Sequence, residues 1–325
     1  MLKFTRKSRS DFQWLGKRVM LSYTIKRWWV FSQERFPLLR HMLLIVFYVA
    51  ANTLVALSSV SLNAVLTYKE VLCAIAVLFI FFHLRIFDEI KDYRNDLVVH
   101  KGRPLARGLI SVREAKLFTL GLILLELCLA FFIGRAALIA VICTVLYSLI
   151  MYKEFFIGKW LRPKMATYAL AHTLVSCWMS VFVFSAITGL NFWKISKVYG
   201  MFVLVNWMIF NIFEFGRKTF GKEEEEELVE SYSKRLGPIR AALNVVIMAT
   251  VAMYIAYKVG SIFNLNLLFI ASMYLLYGLT LIAAGLYAVH NDKPSARVFR
   301  GICSIFILFY NVIITLGIVW KHLKN

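Results

Sequence analysis

Apolar runs of about 18 to 22 residues recur from Pro37 to Trp320, and one such run is long enough to cross the hydrocarbon of a bilayer as a helix. Nothing else in the chain limits its fold so strongly, because backbone polar groups in lipid must be satisfied within the spanning structure. Gly, Pro and charge breaks divide the sequence into nine candidate spans, at 37–57, 70–87, 114–133, 136–152, 166–187, 199–214, 239–260, 265–288 and 298–320. The expected fold class is an all-α integral membrane protein, a bundle of about nine transmembrane helices. Residues 1–36 form a basic N-terminal segment, and 37–325 form a single transmembrane domain with no low-complexity linker dividing it. Composition agrees, since 60% of the 325 residues are apolar and only 17% are charged, unlike an average soluble chain.

With 38 Lys and Arg against 18 Asp and Glu, the chain carries a formal charge of +20. No nucleic-acid partner is expected, because a basic-aromatic groove cannot be assembled from segments that lie in lipid. The charge instead faces anionic lipid and an anionic substrate. Most of the basic residues precede the first span or follow the even-numbered ones, so the positive-inside rule predicts N-in, C-out. Segment 1–36 mixes Lys3, Arg6, Lys7, Arg9, Lys17, Arg18, Lys26 and Arg27 with Trp14, Trp28 and Trp29, a pairing suited to lying on the cytoplasmic leaflet. A polar stretch of 36 residues before the first apolar run also differs from the short basic start of a signal peptide. Cys73, Cys128, Cys143, Cys177 and Cys303 are isolated within apolar runs, without metal or redox spacing, and read as small hydrophobes.

The densest group of ionisable residues is Arg85-Ile-Phe-Asp88-Glu89-Ile-Lys91-Asp92-Tyr-Arg94-Asn-Asp96, at the end of the second span. Asp88, Asp92 and Asp96 are four apart and Glu89 is three before Asp92, so a continuing helix carries all four carboxylates on nearly one face. Like charges at that spacing repel, by a few tenths of a kcal/mol per pair on an open helix. A divalent cation or basic partners would offset the repulsion, and hard oxygen ligands favour magnesium or calcium. The other reading is a solvated helix end neutralised by Lys91 and Arg94. The next loop, Lys101-Gly-Arg103-Pro-Leu-Ala-Arg107-Gly108, sets three cations on a Gly/Pro turn beside the carboxylates. Carboxylate-held magnesium facing Arg and Lys donors is a phosphate site. After the fourth span, Tyr147 and Lys153 lead into Lys159, Arg162 and Lys164, which supply either further phosphate contacts or topology-setting charge.

These residues resemble the UbiA-type intramembrane prenyltransferases, a family with nine helices and a first motif of the form NDxxDxxxD. Glu89, Asp92 and Asp96 match its three aspartates and Asp88 its asparagine, while Arg103-Pro-Leu-Ala-Arg107-Gly108-Leu-Ile-Ser111 resembles the family's RPLxxGx(I/V)S. Tyr147 and Lys153 are similar to the family's Tyr and Lys after the fourth helix. The second motif, a DxxxD pair after the sixth helix, is altered. Glu214 stands at its first aspartate and Lys218 at its second, within Asn211-Ile-Phe-Glu214-Phe-Gly-Arg217-Lys218. Arg217 and Lys218 then replace a second cation, or a ligand comes from the run Glu223 to Glu227, which otherwise reads as a solvated loop. Ser231-Tyr-Ser-Lys-Arg-Leu-Gly237 resembles the family's short turn before the seventh helix.

The resemblance implies magnesium-dependent transfer of a polyprenyl group from a prenyl diphosphate to a small, aromatic acceptor, at the cytoplasmic mouth of the bundle. It implies metal binding by Asp88, Glu89, Asp92, Asp96 and Glu214, with Asp88, Asp92, Asp96 and Glu214 as the catalytic set. Diphosphate contacts are implied for Arg103, Arg107, Tyr147, Lys153, Arg217 and Lys218. No protein nucleophile is required, and no Ser/His or Cys/His constellation is evident. Phosphoribosyl transfer to a polyprenyl phosphate, or ion-coupled transport, are the alternatives. Transport sites lie near the bilayer midplane on broken helices, whereas these carboxylates end a span. Glu126, inside the third span, either pairs with another helix or lines a cavity. His41, His83 and His172 lack metal-ligand spacing and read as packing histidines.

Overall fold

The computed structural model describes residues 23–62, 67–227 and 229–324. The basic and aromatic residues from Lys3 to Arg18 lie outside them. Among the described residues, nine helical spans are long and apolar enough to cross a membrane. A helix over 23–35, α1, precedes them. The bundle is α2 (Leu38–Ser59), α3 (Tyr68–Asp96), α4 (Val112–Ile133), α5 (Arg135–Tyr152), the short α6 (Gly158–Leu161), α7 (Met165–Thr173), α8 (Val175–Thr188) and α9 (Lys197–Arg217). It continues through α10 (Tyr232–Leu236), α11 (Pro238–Ile262), α12 (Leu267–His290) and α13 (Lys293–Lys324). Helices α7 and α8 make one span, interrupted at Leu174. Every predicted span has its helix. The main difference is that α3 runs nine residues past the predicted end at 87, because a polar helical turn can continue once it has left hydrocarbon.

Local chemistry sets these boundaries. Thr67 and Ser111 open α3 and α4 with capping boxes closed by Glu70 and Glu114, which satisfy N–H groups that the helices leave free. Gly134, at φ 144°, is the whole connection between α4 and α5, a backbone conformation that side-chain-bearing residues rarely adopt. Small residues allow close helix approach. A methyl group on Gly216 of α9 would collide with Cys303 of α13, and α11 buries Ala241, Ala242, Ala249, Ala252 and Ala256. The spans neighbour one another in chain order, and α13 returns to pack on α2, closing a ring. A buried polar network links α2, α8 and α9, in which the Tyr48 hydroxyl meets Ser180 Oγ at 2.8 Å, Tyr199 donates to Asn52 at 2.9 Å and Asn206 donates to Ser180 at 3.1 Å. Hydrogen bonds of this kind hold helices together where lipid is as apolar as the side chains.

The connections from α3 to α4, α5 to α7, α9 to α11 and α12 to α13 gather at one end of the ring. Arg235 donates to the Pro163 carbonyl there, Tyr232 to Met165 and the Lys222 N–H to the Asn291 carbonyl. Helix α1 lies across the same end. Its Trp28 stacks on Phe118 at 3.9 Å, Phe31 is fully buried, and Arg27 pairs with Glu114 at 2.5 Å. The run from Glu223 is only partly solvated. Glu226 and Glu227 are exposed, but Glu223 accepts the Lys293 N–H at 2.7 Å, Glu224 takes both Arg300 nitrogens at 2.8 Å, and Glu225 accepts from Ser231 and Ser233. Those partners come from segments distant in sequence or, for Ser231 and Ser233, from the turn before α11.

Candidate active site

The end of α3 carries the four carboxylates into the polar end of the ring, and they differ sharply in surroundings. Asp88 and Asp92 have side chains 45% and 51% exposed, whereas Glu89 and Asp96 are at 1% and 3%. Burying an ion costs several kcal/mol unless partners offset it. Glu89 Oε1 accordingly receives Arg35 of α1 at 2.6 Å and Arg85, one turn earlier on α3, at 2.9 Å. Asp96 Oδ2 receives Arg103 at 2.8 Å, and the same guanidinium stands 3.9 Å from Asp92. The second oxygens of both buried carboxylates, Glu89 Oε2 and Asp96 Oδ1, have no protein partner. Such atoms are rare in buried positions and call for a ligand, ion or water.

Helix α9 supplies the facing wall. Glu214 accepts from Arg217 at 2.6 Å and stands 3.1 Å from Lys218, so the altered second motif is one carboxylate bracketed by two cations. Asp88 is near enough to interact electrostatically with Arg217 and Arg85. Helix α9 is fixed against α7 by hydrogen bonds from Thr173 to Asn211, 2.7 Å, and from Trp207 to the Leu170 carbonyl, 3.2 Å. The first and second motifs are thus close enough for Asp88 on α3 to interact with Arg217 on α9.

Other expected contacts stand differently. Arg107 binds both oxygens of Glu34 at 2.7 and 2.8 Å, which ties the loop to α1 and holds the Glu34 carboxyl below the usual carboxylate range. Tyr147 donates to the Ala171 carbonyl at 2.6 Å, and Lys153 lies 5.6 Å from the Tyr152 ring centre. Arg162 is paired with Glu154 at 2.7 Å. Glu126 and His83, both fully buried, pair at 2.7 Å between α4 and α3, which joins a lone intramembrane carboxylate to a packing histidine.

Sequence reasoning gave no site role to Arg35, Arg85 or Tyr168, and read Lys91 as a neutralising charge and His172 as a packing histidine. Arg85 lies one turn from the motif on the same helix face, a spacing that could have pointed to it. Arg35 and the α7 residues are brought in only by tertiary packing.

Among the described residues, no three His, Cys, Asp or Glu side chains already stand together as a ready metal cage. The donor set nevertheless fits a hard divalent cation. It is all carboxylate oxygen, two of its members are half exposed, and two others hold a buried oxygen without a partner. The site also sits at an end of the bundle, unlike the midplane sites of transporters.

Nine spans among the described residues, with an aspartate-rich helix end near a cationic one, define a polytopic membrane protein with a charged site at one end of its bundle. The sequence profile of the UbiA prenyltransferase family matches residues 43–313, and the chain belongs to that family. Solved structures with the same fold include a UbiA homologue from Aeropyrum pernix K1, 16% identical, covering 87% of this chain and 98% of its own, with a TM-score of 0.64. A digeranylgeranylglyceryl phosphate synthase is 19% identical over 87% of this chain and 99% of its own, with a TM-score of 0.60. A UbiA homologue from Archaeoglobus fulgidus bound to GPP and Mg2+ is 15% identical over 85% of this chain and 98% of its own, with a TM-score of 0.51. No curated protein matches the sequence.

Proposed function

We propose that this prenyltransferase moves a polyprenyl group from a prenyl diphosphate to a small aromatic acceptor, with magnesium as cofactor. The observation that carries the reading is the end of α3, which holds two half-exposed aspartates and two unpartnered buried carboxylate oxygens, with Asp88 near enough to interact with Arg217 of the Glu214-Arg217-Lys218 group. Asp88, Asp92, Asp96 and Glu214, with Glu89 through its bare oxygen, would hold the metal. Magnesium held there would neutralise charge on the diphosphate. Arg103, Arg217 and Lys218 supply donors to the departing diphosphate, the charge that grows as the allylic C–O bond breaks. Arg107 and Lys153 join them only by leaving Glu34 and Tyr152. Tyr147 stands behind, at the Ala171 carbonyl. The apolar bundle receives the prenyl chain and keeps water from the allylic cation.

The basic connections gathered at the carboxylate end support placing that end in the cytoplasm, with N-in, C-out topology. The contacts of α1, the described part of the basic segment 1–36, support its lying across this end, ahead of the domain 37–325. The structure bound to GPP and Mg2+ supports the donor and metal class.

The test is magnesium-dependent release of diphosphate by purified protein in detergent, using prenyl diphosphates of several lengths, a panel of aromatic acceptors and an Asp92→Asn control. Release with prenylated product, lost in the variant, is expected. Absence of both turnover and magnesium-dependent binding of any prenyl diphosphate would refute the reading.

A further inference from the structure

The altered second motif bears on how many metal ions this site can hold. Glu214 lies three residues before Arg217 and four before Lys218, so the end of α9 sets both cations on its side. Arg217 reaches Glu214 Oε2 at 2.6 Å and Lys218 reaches Oε1 at 3.1 Å, one cation on each oxygen. Cations suit this place, because a helix C-terminus carries partial negative charge. Where a DxxxD pair would present two carboxylates to an ion, this turn presents one carboxylate already engaged and two positive charges.

The glutamate run does not make up the missing acid. Glu223 accepts the Lys293 N–H, Glu224 takes Arg300, and Glu225 takes Ser231 and Ser233. Glu226 and Glu227 are exposed, and Lys234 Nζ binds their carbonyl oxygens at 2.9 and 2.7 Å, which ties that stretch to α10.

Charge points the same way. On α3, Arg35 and Arg85 meet Glu89, Lys91 stands 3.8 Å from Asp88, and Arg103 serves Asp96 and Asp92. With Glu214, Arg217 and Lys218 included, the two motifs pair six cations with five carboxylates among the described residues, a formal surplus of one positive charge. A prenyl diphosphate brings about three negative charges, so one divalent ion brings the site to neutrality. A second divalent ion would leave excess positive charge beside buried groups, where uncompensated charge is costly.

We propose that the site binds a single magnesium ion, held from α3, and that Lys218 with Arg217 is a fixed cation in place of a second one, contacting the diphosphate directly. The proposal rests on the prenyl-transfer reading and deepens it. Glu214 holds the two cations in place, and its remaining lone pairs can still meet the α3-held ion.

The experiment counts bound Mn2+ by electron paramagnetic resonance in the full-length protein in detergent with geranyl diphosphate present, alongside magnesium-dependent diphosphate release. Wild type should saturate at about one ion per chain. Lys218→Asp restores the second acid and should raise the count to about two. Lys218→Met removes the charge without adding a ligand. It should keep the single ion while geranyl diphosphate binds about tenfold more weakly, the scale of one charged hydrogen bond. The Lys218 side chain is 33% exposed, so both variants should unfold near the wild-type temperature. Two ions in wild type, a count that stays at one in Lys218→Asp, or unchanged diphosphate affinity in Lys218→Met would overturn the single-ion site. Two ions in wild type together with diphosphate release sinks the single-ion site and leaves prenyl transfer standing. One ion in wild type and two in Lys218→Asp, without any release by wild type, does the reverse.

Discussion

Two acidic stretches lie at the same end of this molecule and serve it in opposite ways. On α3, Asp88 and Asp92 are half exposed, and Glu89 and Asp96 each keep one buried oxygen without a protein partner. In the connection after α9, Glu223, Glu224 and Glu225 are occupied by the Lys293 N–H, by Arg300 and by Ser231 and Ser233. The second stretch is denser in charge, yet its ordered carboxylates are spent on joining the α9 connection to α13 and α10. Charge density therefore does not mark a site here. On the proposed reading, half-exposed aspartates together with free carboxylate oxygens at this end do.

The largest effect that can break this contrast is at Asp92. Asp92→Asn should lower diphosphate release by about 100-fold or more, as loss of a group in a metal-centred site does, and leave the unfolding temperature near wild type because the side chain is half exposed. Next come the two loop arginines. Arg103→Ala strands buried Asp96 and should slow release by roughly tenfold or more, while Arg107→Ala frees the exposed Glu34 and should cost several times less in a parallel rate measurement.

In the clasp the expected loss is stability. Glu224→Gln leaves Arg300 with a neutral partner and should destabilise by about 2 kcal/mol, the scale of a hydrogen bond to a charged group, seen as a lower unfolding midpoint with little change in KM. The smallest effect is in pH. Hydrogen bonding from Arg300 holds the Glu224 carboxyl below the usual glutamate range. Because the folded value is the lower one, the clasp contributes fully above that range and is lost as pH falls through the folded value. Unfolding midpoints in acid should therefore drop, and drop less steeply in Arg300→Met.

The spans were readable because continuous apolar length is a local property, and each predicted interval has its helix. The carboxylate face was equally local, since fourfold spacing and a continuing helix are enough to align Asp88, Asp92 and Asp96. What the sequence hid depends on segments meeting in space. Arg107 lies four residues from Arg103, yet one turns to Glu34 on α1 and the other to Asp96 on α3. Glu126 and His83 are 43 residues apart and pair across two helices. Lys91 meets Tyr168 and His172 only because α7 packs beside α3. The glutamate run read as solvated because its partners, Lys293 and Arg300, are some 70 residues away.

The contrast between free and occupied carboxylates is tested most directly by titrating purified protein with Mn2+, as a spectroscopic stand-in for magnesium, and counting bound metal by electron paramagnetic resonance with geranyl diphosphate present. Binding should persist in Glu225→Gln and be lost or greatly weakened in Asp92→Asn. Binding unchanged by Asp92→Asn, or abolished by Glu225→Gln, would contradict the account.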